Sequence, residues 1–255
     1  MKERLSVMML AARSTVYRVI ALILATAAVQ AGLYYGWLVN SISPDSSWLV
    51  NLEIGMSDSG IMLAAAVSFI LLCVILCMTG LGPGAKSLYT LRRLAISEKE
   101  ILCWLAVYNT LVFLLFWMSQ ILTVMGLCRM YEWLAPILCE KNGVPVSELL
   151  MGPQTVYIAF YRDKYMHSLL PMAEISRWIR NLVLLLSLGV CTTTFGNSLR
   201  YGKKAFALLV VMVVTLGMFC GGVGAIELDI ISGLIALTAG VSSAWYALGG
   251  AEDEA

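Results

Sequence analysis

Residues 80–100 read GLGPGAKSLYTLRRLAISEKE, a glycine-rich turn and a basic, leucine-bearing segment set between two long apolar runs. Two readings compete for this stretch. Gly80, Ala85, Lys86 and Ser87 nearly complete the phosphate-binding pattern Gly-x-x-x-x-Gly-Lys-Ser, whereas the flanking apolar runs make it a charged loop of a membrane protein. The phosphate reading fails on its own chemistry. A phosphate cradle needs a glycine directly before the lysine, but Ala85 stands there and Pro83 removes one amide donor. It also needs a short buried strand before the loop, and the preceding run is long enough to be a membrane span. No ATPase site is therefore expected in this chain.

The loop reading follows from composition. The chain has 60% hydrophobic and only 13% charged residues, against an ordinary soluble mix of roughly 45–50% and about 25%. Six windows lack Asp, Glu, Lys, Arg and His: 19–44, 59–85, 101–128, 181–199, 205–226 and 230–251. Each approaches or exceeds the roughly 20 residues needed to cross a bilayer. Unpaired backbone groups are too costly in lipid for anything but helices or a closed barrel, and the runs lack the barrel's two-residue alternation. The expected fold is all-α and polytopic, a single transmembrane domain over 1–255. Its spans are placed at about 15–39, 60–82, 101–127, 178–199, 205–225 and 229–248. The first run starts late, is long and lacks a small-x-small site after it, so it is read as a retained span rather than a cleaved signal.

Charge sets the expected orientation. Lys2, Arg4, Arg13 and Arg18 lie amid Leu5, Met8, Met9 and Ala12, which predicts an interfacial helix on the cytosolic leaflet before the first span. Lys86, Arg92, Arg93 and Lys99 mark the loop after span two, and Arg200, Lys203 and Lys204 the loop after span four. Cytosolic loops carry the excess of Lys and Arg, so both termini are expected in the cytosol of a multi-pass plasma-membrane protein. Residues 149–161 form a rival seventh span, but about 13 residues with an internal Gly-Pro are too few to cross.

The remaining outer segment, 128–177, mixes both charge signs and holds Pro136, Pro145, Pro153 and Pro171, which are expected to cut it into short pieces. Cys128 and Cys139 lie in it and are available for a disulfide if that side is oxidising. The other span cysteines read as small hydrophobes. Gln30 is expected to make an interhelical hydrogen bond, and Gly217 with Gly221 has the spacing of a close helix approach. His167 is the single histidine, so no metal centre is expected. Nucleic acid is excluded as a partner by scattered basic residues and by aromatics held in apolar runs. The spans show no mid-membrane ionisable group to couple a proton or sodium gradient.

The stretch that follows the glycines has its own order. Leu88, Leu91 and Leu94 form a stripe, Arg92 and Arg93 stand off it, and Ser97 begins the capping pattern Ser-Glu-Lys-Glu before the third span. With TLRRLAISEKEILCWLAVYN at 90–109, small and polar residues at 192–198, and a basic turn at 200–204, the chain resembles the permease subunits of type-2 ABC exporters, the type V exporter fold. That resemblance implies a coupling elbow over 84–100 that seats on a separate ABC ATPase, with Tyr89, Arg92, Arg93, Glu98 and Lys99 at the contact. It implies a second permease chain, identical or homologous, and ATP with Mg bound by the partner ATPase rather than here. It further implies export of a hydrophobic or amphipathic substrate such as a peptide, lipid or drug. The family's larger outer element lies between the last two spans, whereas here the bulk lies between the third and fourth. A competing expectation is a non-transport sensor or immunity protein that binds membrane-active peptides through 128–177.

Overall fold

The computed structural model describes residues 2–42, 51–78, 97–145, 153–172, 174–200, 206–221 and 226–249. Among these, every regular element is a helix: α1 (Lys2–Ser41), α2 (Leu52–Asp58), α3 (Ile61–Cys77), α4 (Glu98–Asn142), α5 (Pro153–Arg162), α6 (Lys164–Leu169), α7 (Ile175–Arg200), α8 (Ala207–Gly221) and α9 (Ile226–Gly249). By length and composition α1, α4, α7 and α9 can each cross a membrane. The pair α2 and α3, bent by 46°, supplies a fifth crossing if it acts as one. Gly60 makes that bend, since its φ of 79° suits a residue without Cβ. The fifth expected span, 205–225, contains apolar α8, which has 15 residues as described, below crossing length.

Two expectations about boundaries are corrected. The interfacial helix predicted before span one is not a separate element, because α1 runs unbroken for 40 residues. Its Ala, Leu, Met and Arg content favours helix throughout, and no Gly or Pro lies at the proposed junction. Likewise the third span does not stop at 127. It continues to Asn142 as a 45-residue helix that contains Pro136, so this proline does not cut the outer segment. The stop comes at Gly143, whose φ of 70° and N–H to the Cys139 carbonyl close the helix. Pro153, at the first position of α5, and Pro171, just past α6, do mark boundaries.

In lipid, hydrocarbon burial does not distinguish one helix pairing from another, so close packing and interhelical hydrogen bonds fix the arrangement. α1 lies parallel to α4: Thr15 meets Tyr108 at 2.6 Å, Gln30 donates to Gln120 at 2.9 Å, and Asn142 donates to the Ile42 carbonyl at 2.6 Å. α3 runs the opposite way along α1, with Thr26 donating to Ser68 at 2.8 Å. α7 packs against α3, α4, α8 and α9 and is the hub of the bundle. Asn109 of α4 donates to Thr192 and Thr193 of α7 at 3.1 and 3.0 Å. A Cβ on Gly189 would lie 2.0 Å from Thr110 Oγ1 and 2.9 Å from the Thr110 nitrogen, so α4 and α7 touch nearly backbone to backbone. The close approach expected at Gly217 is not there, since nothing lies within 4 Å of its Cβ position. The helices alternate up and down, so α3 ends and α4 begins at the same end as the N-terminus of α1.

Candidate functional site

A cavity opens inside the bundle between α3, α4, α6, α7 and α8, with about 500 Å³ of empty space including its mouth. Ala65, Ala66 and Phe69 of α3, Phe113, Phe116 and Trp117 of α4, and Leu216 and Phe219 of α8 make its wall almost wholly apolar. Small alanines facing large aromatics leave the gap. Three side chains with oxygen or amide groups line it, Gln120, Tyr165 and Thr215. Gln30 Nε2 donates to Gln120 Oε1 at 2.9 Å and to the Ile61 carbonyl at 3.3 Å, and the Tyr165 hydroxyl donates to Gln120 Oε1 at 3.2 Å. The interhelical bond expected of Gln30 is thus present, and it ties α1, α3, α4 and α6 at one buried point.

α6 closes this cavity toward the end of the bundle where α1 finishes. It is six residues long, with Tyr165, Met166, Ser168 and Leu169 buried. Asp163 caps it, accepting from the Met166 N–H at 2.8 Å. Burial pushes the Asp163 carboxyl up, Glu53 adds to this, and the Met166 and Tyr165 N–H groups oppose it. Trp117 Nε1 donates to the Leu169 carbonyl at 3.1 Å, and Ser168 donates to the Phe219 carbonyl at 2.9 Å, so α4 and α8 hold the plug from two sides. Trp117 also packs against Trp178 of α7, with ring centroids 5.5 Å apart and the planes tilted by 57°.

Behind the plug lies a buried ionic cluster. Asn181 donates to the Ser168 carbonyl at 3.0 Å, and its Oδ1 accepts from Arg180 at 3.1 and 2.9 Å. Arg180 pairs with Asp229 of α9, and Arg177 lies 3.5 Å from Asp229 and 2.5 Å from Glu174. The Arg180 and Asp229 side chains are 2% and 1% exposed. By sequence Arg177 ends the outer segment 128–177 and Asp229 opens the span 229–248, and the cluster they form was not expected. Its sequence signal was two arginines one helical turn apart at the start of an apolar run, with an acid opening another run.

Of the expected contact residues, Tyr89, Arg92 and Arg93 lie outside the described residues, as does most of the elbow and the glycine-rich turn. Glu98 opens α4, and Lys99 follows it half-buried. Ser97 does cap α4, accepting from the Glu100 N–H at 3.3 Å. The disulfide is not formed: Cys128 and Cys139 are both unoxidised thiols, buried on one helix. Eleven residues of helix separate them by roughly 16 Å, far beyond disulfide reach. His167 packs edge-on against Tyr161. Among the described residues no group of three His, Cys, Asp or Glu side chains is placed to hold a metal. Comparison with protein-family models, curated proteins and solved structures finds no match to this chain.

Proposed function

We propose that this chain is the permease subunit of an ATP-driven ABC exporter that moves a hydrophobic or amphipathic substrate, together with separate ATPase subunits and a second permease chain. The observation that carries the reading is the apolar cavity within a helical bundle, closed at one end by a separate short helix. The opposite end is where α3 finishes and α4 starts, so both anchors of the 79–96 segment lie there. That segment holds Lys86, Arg92 and Arg93, and its charge favours the cytosol. The plug then faces outward, in keeping with an outer gate built from the region between spans three and four. The energy source is ATP and Mg on the partner, engaged through Tyr89, Arg92, Arg93, Glu98 and Lys99.

The test is purification from the native membrane, followed by Arg92→Glu with Arg93→Glu. The reading expects an ATPase to co-purify and the double change to abolish substrate-stimulated ATP hydrolysis while the helices stay folded. Recovery without any ATPase, or unchanged stimulation in an intact complex, overturns it.

One observation favours the sensor reading. α5 buries Ala159 and Phe160 but exposes Tyr157, Ile158 and Tyr161, an aromatic face suited to the membrane interface or to an amphipathic peptide. Loss of function on changing Tyr157 and Tyr161 to Ser, with no ATPase ever recovered, would favour it.

A further inference from the structure

The cavity has one polar group that the protein's own bonds leave incomplete. Gln30 Nε2, set by the Ile61 carbonyl, donates to Gln120 Oε1 and so fixes which end of that amide is oxygen, and the Tyr165 hydroxyl donates to the same atom. Gln120 Nε2 then has no partner, in a side chain only 3% exposed. The neighbouring polar hydrogens are already committed: Thr215 donates to the Val211 carbonyl at 2.7 Å and Trp117 to the Leu169 carbonyl at 3.1 Å. What Gln120 Nε2 lacks is an acceptor: Gln30 Oε1 is also unpartnered but does not reach it, and the rest of the cavity wall is mainly hydrocarbon.

We propose that the cavity binds a membrane-dissolved ligand, mostly hydrocarbon, whose single polar group is a carbonyl or ester that accepts from Gln120 Nε2. The inference deepens the reading of this cavity as the substrate path by naming the substrate's chemistry. Shape selects a chain, because Ala65 and Ala66 leave room beside Phe113 and Phe116. The orphan donor selects the acceptor, since a ligand without one leaves a buried N–H unmade. Hydrogen bonding of this kind distinguishes otherwise equal ligands by about threefold to tenfold.

The experiment uses the full chain in phosphatidylcholine vesicles with a diazirine-bearing long-chain fatty methyl ester as probe. After irradiation, adducts are mapped by mass spectrometry, with methyl stearate or octadecane as competitor. Adducts are expected over 113–120 and 216–220, with the ester competing at about a threefold to tenfold lower concentration than the alkane. Gln120→Met, which keeps the bulk and removes the donor, is expected to erase that difference, and Ala66→Phe to remove the adducts. Labelling confined to lipid-facing Leu63, Val67 and Val213, or equal competition by ester and alkane, overturns the proposal. The wild-type competition decides even if a variant fails to fold. No ATPase is needed for this readout, so failure of coupled transport would leave a positive binding result standing.

Discussion

Changing Asp229 to Asn tests whether the cluster behind the plug carries charge in a dry environment. The change leaves the volume nearly constant but strands Arg180, whose remaining acceptor is the neutral Asn181 Oδ1, while Arg177 keeps Glu174. Removing one partner of a buried ion pair costs about 3–5 kcal/mol, because the other charge stays desolvated. For a chain of this size each kcal/mol moves the melting temperature by roughly 2–4 °C, so a drop of about 6–20 °C is expected. Arg180→Gln should cost less, since Asp229 retains Arg177 at 3.5 Å. The double change Arg180→Met with Asp229→Leu should return to within about 1 kcal/mol of wild type, because it removes both desolvated charges together. The assay is thermal unfolding of the purified protein in detergent, followed by intrinsic tryptophan fluorescence. An Asp229→Asn melting point within about 2 °C of wild type, or a double variant worse than the two singles summed, refutes a water-excluded pair.

Gly189→Ala is expected to destabilise by about 1–3 kcal/mol, because its Cβ would meet Thr110 backbone as well as side chain. Gly126→Ala, with nothing within 4 Å, should instead stabilise α4 by up to about 1 kcal/mol; parallel melts of the two variants compare them. Ser97→Ala should cost the start of α4 about 1 kcal/mol, seen as faster hydrogen exchange at 99–101 with no change beyond residue 110. The raised carboxyl of Asp163 gives a pH signature. Its folded value lies above the unfolded one, so its contribution is fully present below the ordinary carboxylate range and is lost as pH rises through the raised value. Hydrogen exchange of α6 should therefore quicken over that rise, and Asp163→Asn, which still caps, should flatten the dependence. An unchanged slope in Asp163→Asn removes Asp163 as its source.

Apolar runs free of charge are a local property, and the sequence therefore located the cores of α1, α3, α4, α7, α8 and α9. It also anticipated the Ser97 cap and the interhelical bond of Gln30, since both rest on residue chemistry within a short stretch. Helix ends were less legible. Continuation of α4 past Cys128 and through Pro136 depends on packing of Tyr131, Ala135 and Cys139, all buried against neighbours no window contains. The cluster was invisible for the same reason in stronger form: Arg180 and Asp229 are 49 positions apart, and each alone looks like an ordinary charge at the mouth of a span. Gln120 and Tyr165 converge across 45 positions. Their meeting depends on α6 folding back into the bundle, which Asp163 starts but does not aim.

The length of α4 has a kinematic consequence. Its 45 residues make one helix of roughly 68 Å, capped at Ser97 and bonded at its far end through Asn142 to Ile42. A tilt of about 5° at the Ser97 end carries the far end roughly 6 Å, more than twice the 2.6 Å that separates those bonded atoms. The tip of α1 must therefore travel with it, or that bond must break. A small tilt of α4 at one end of the bundle would thereby be amplified at the other.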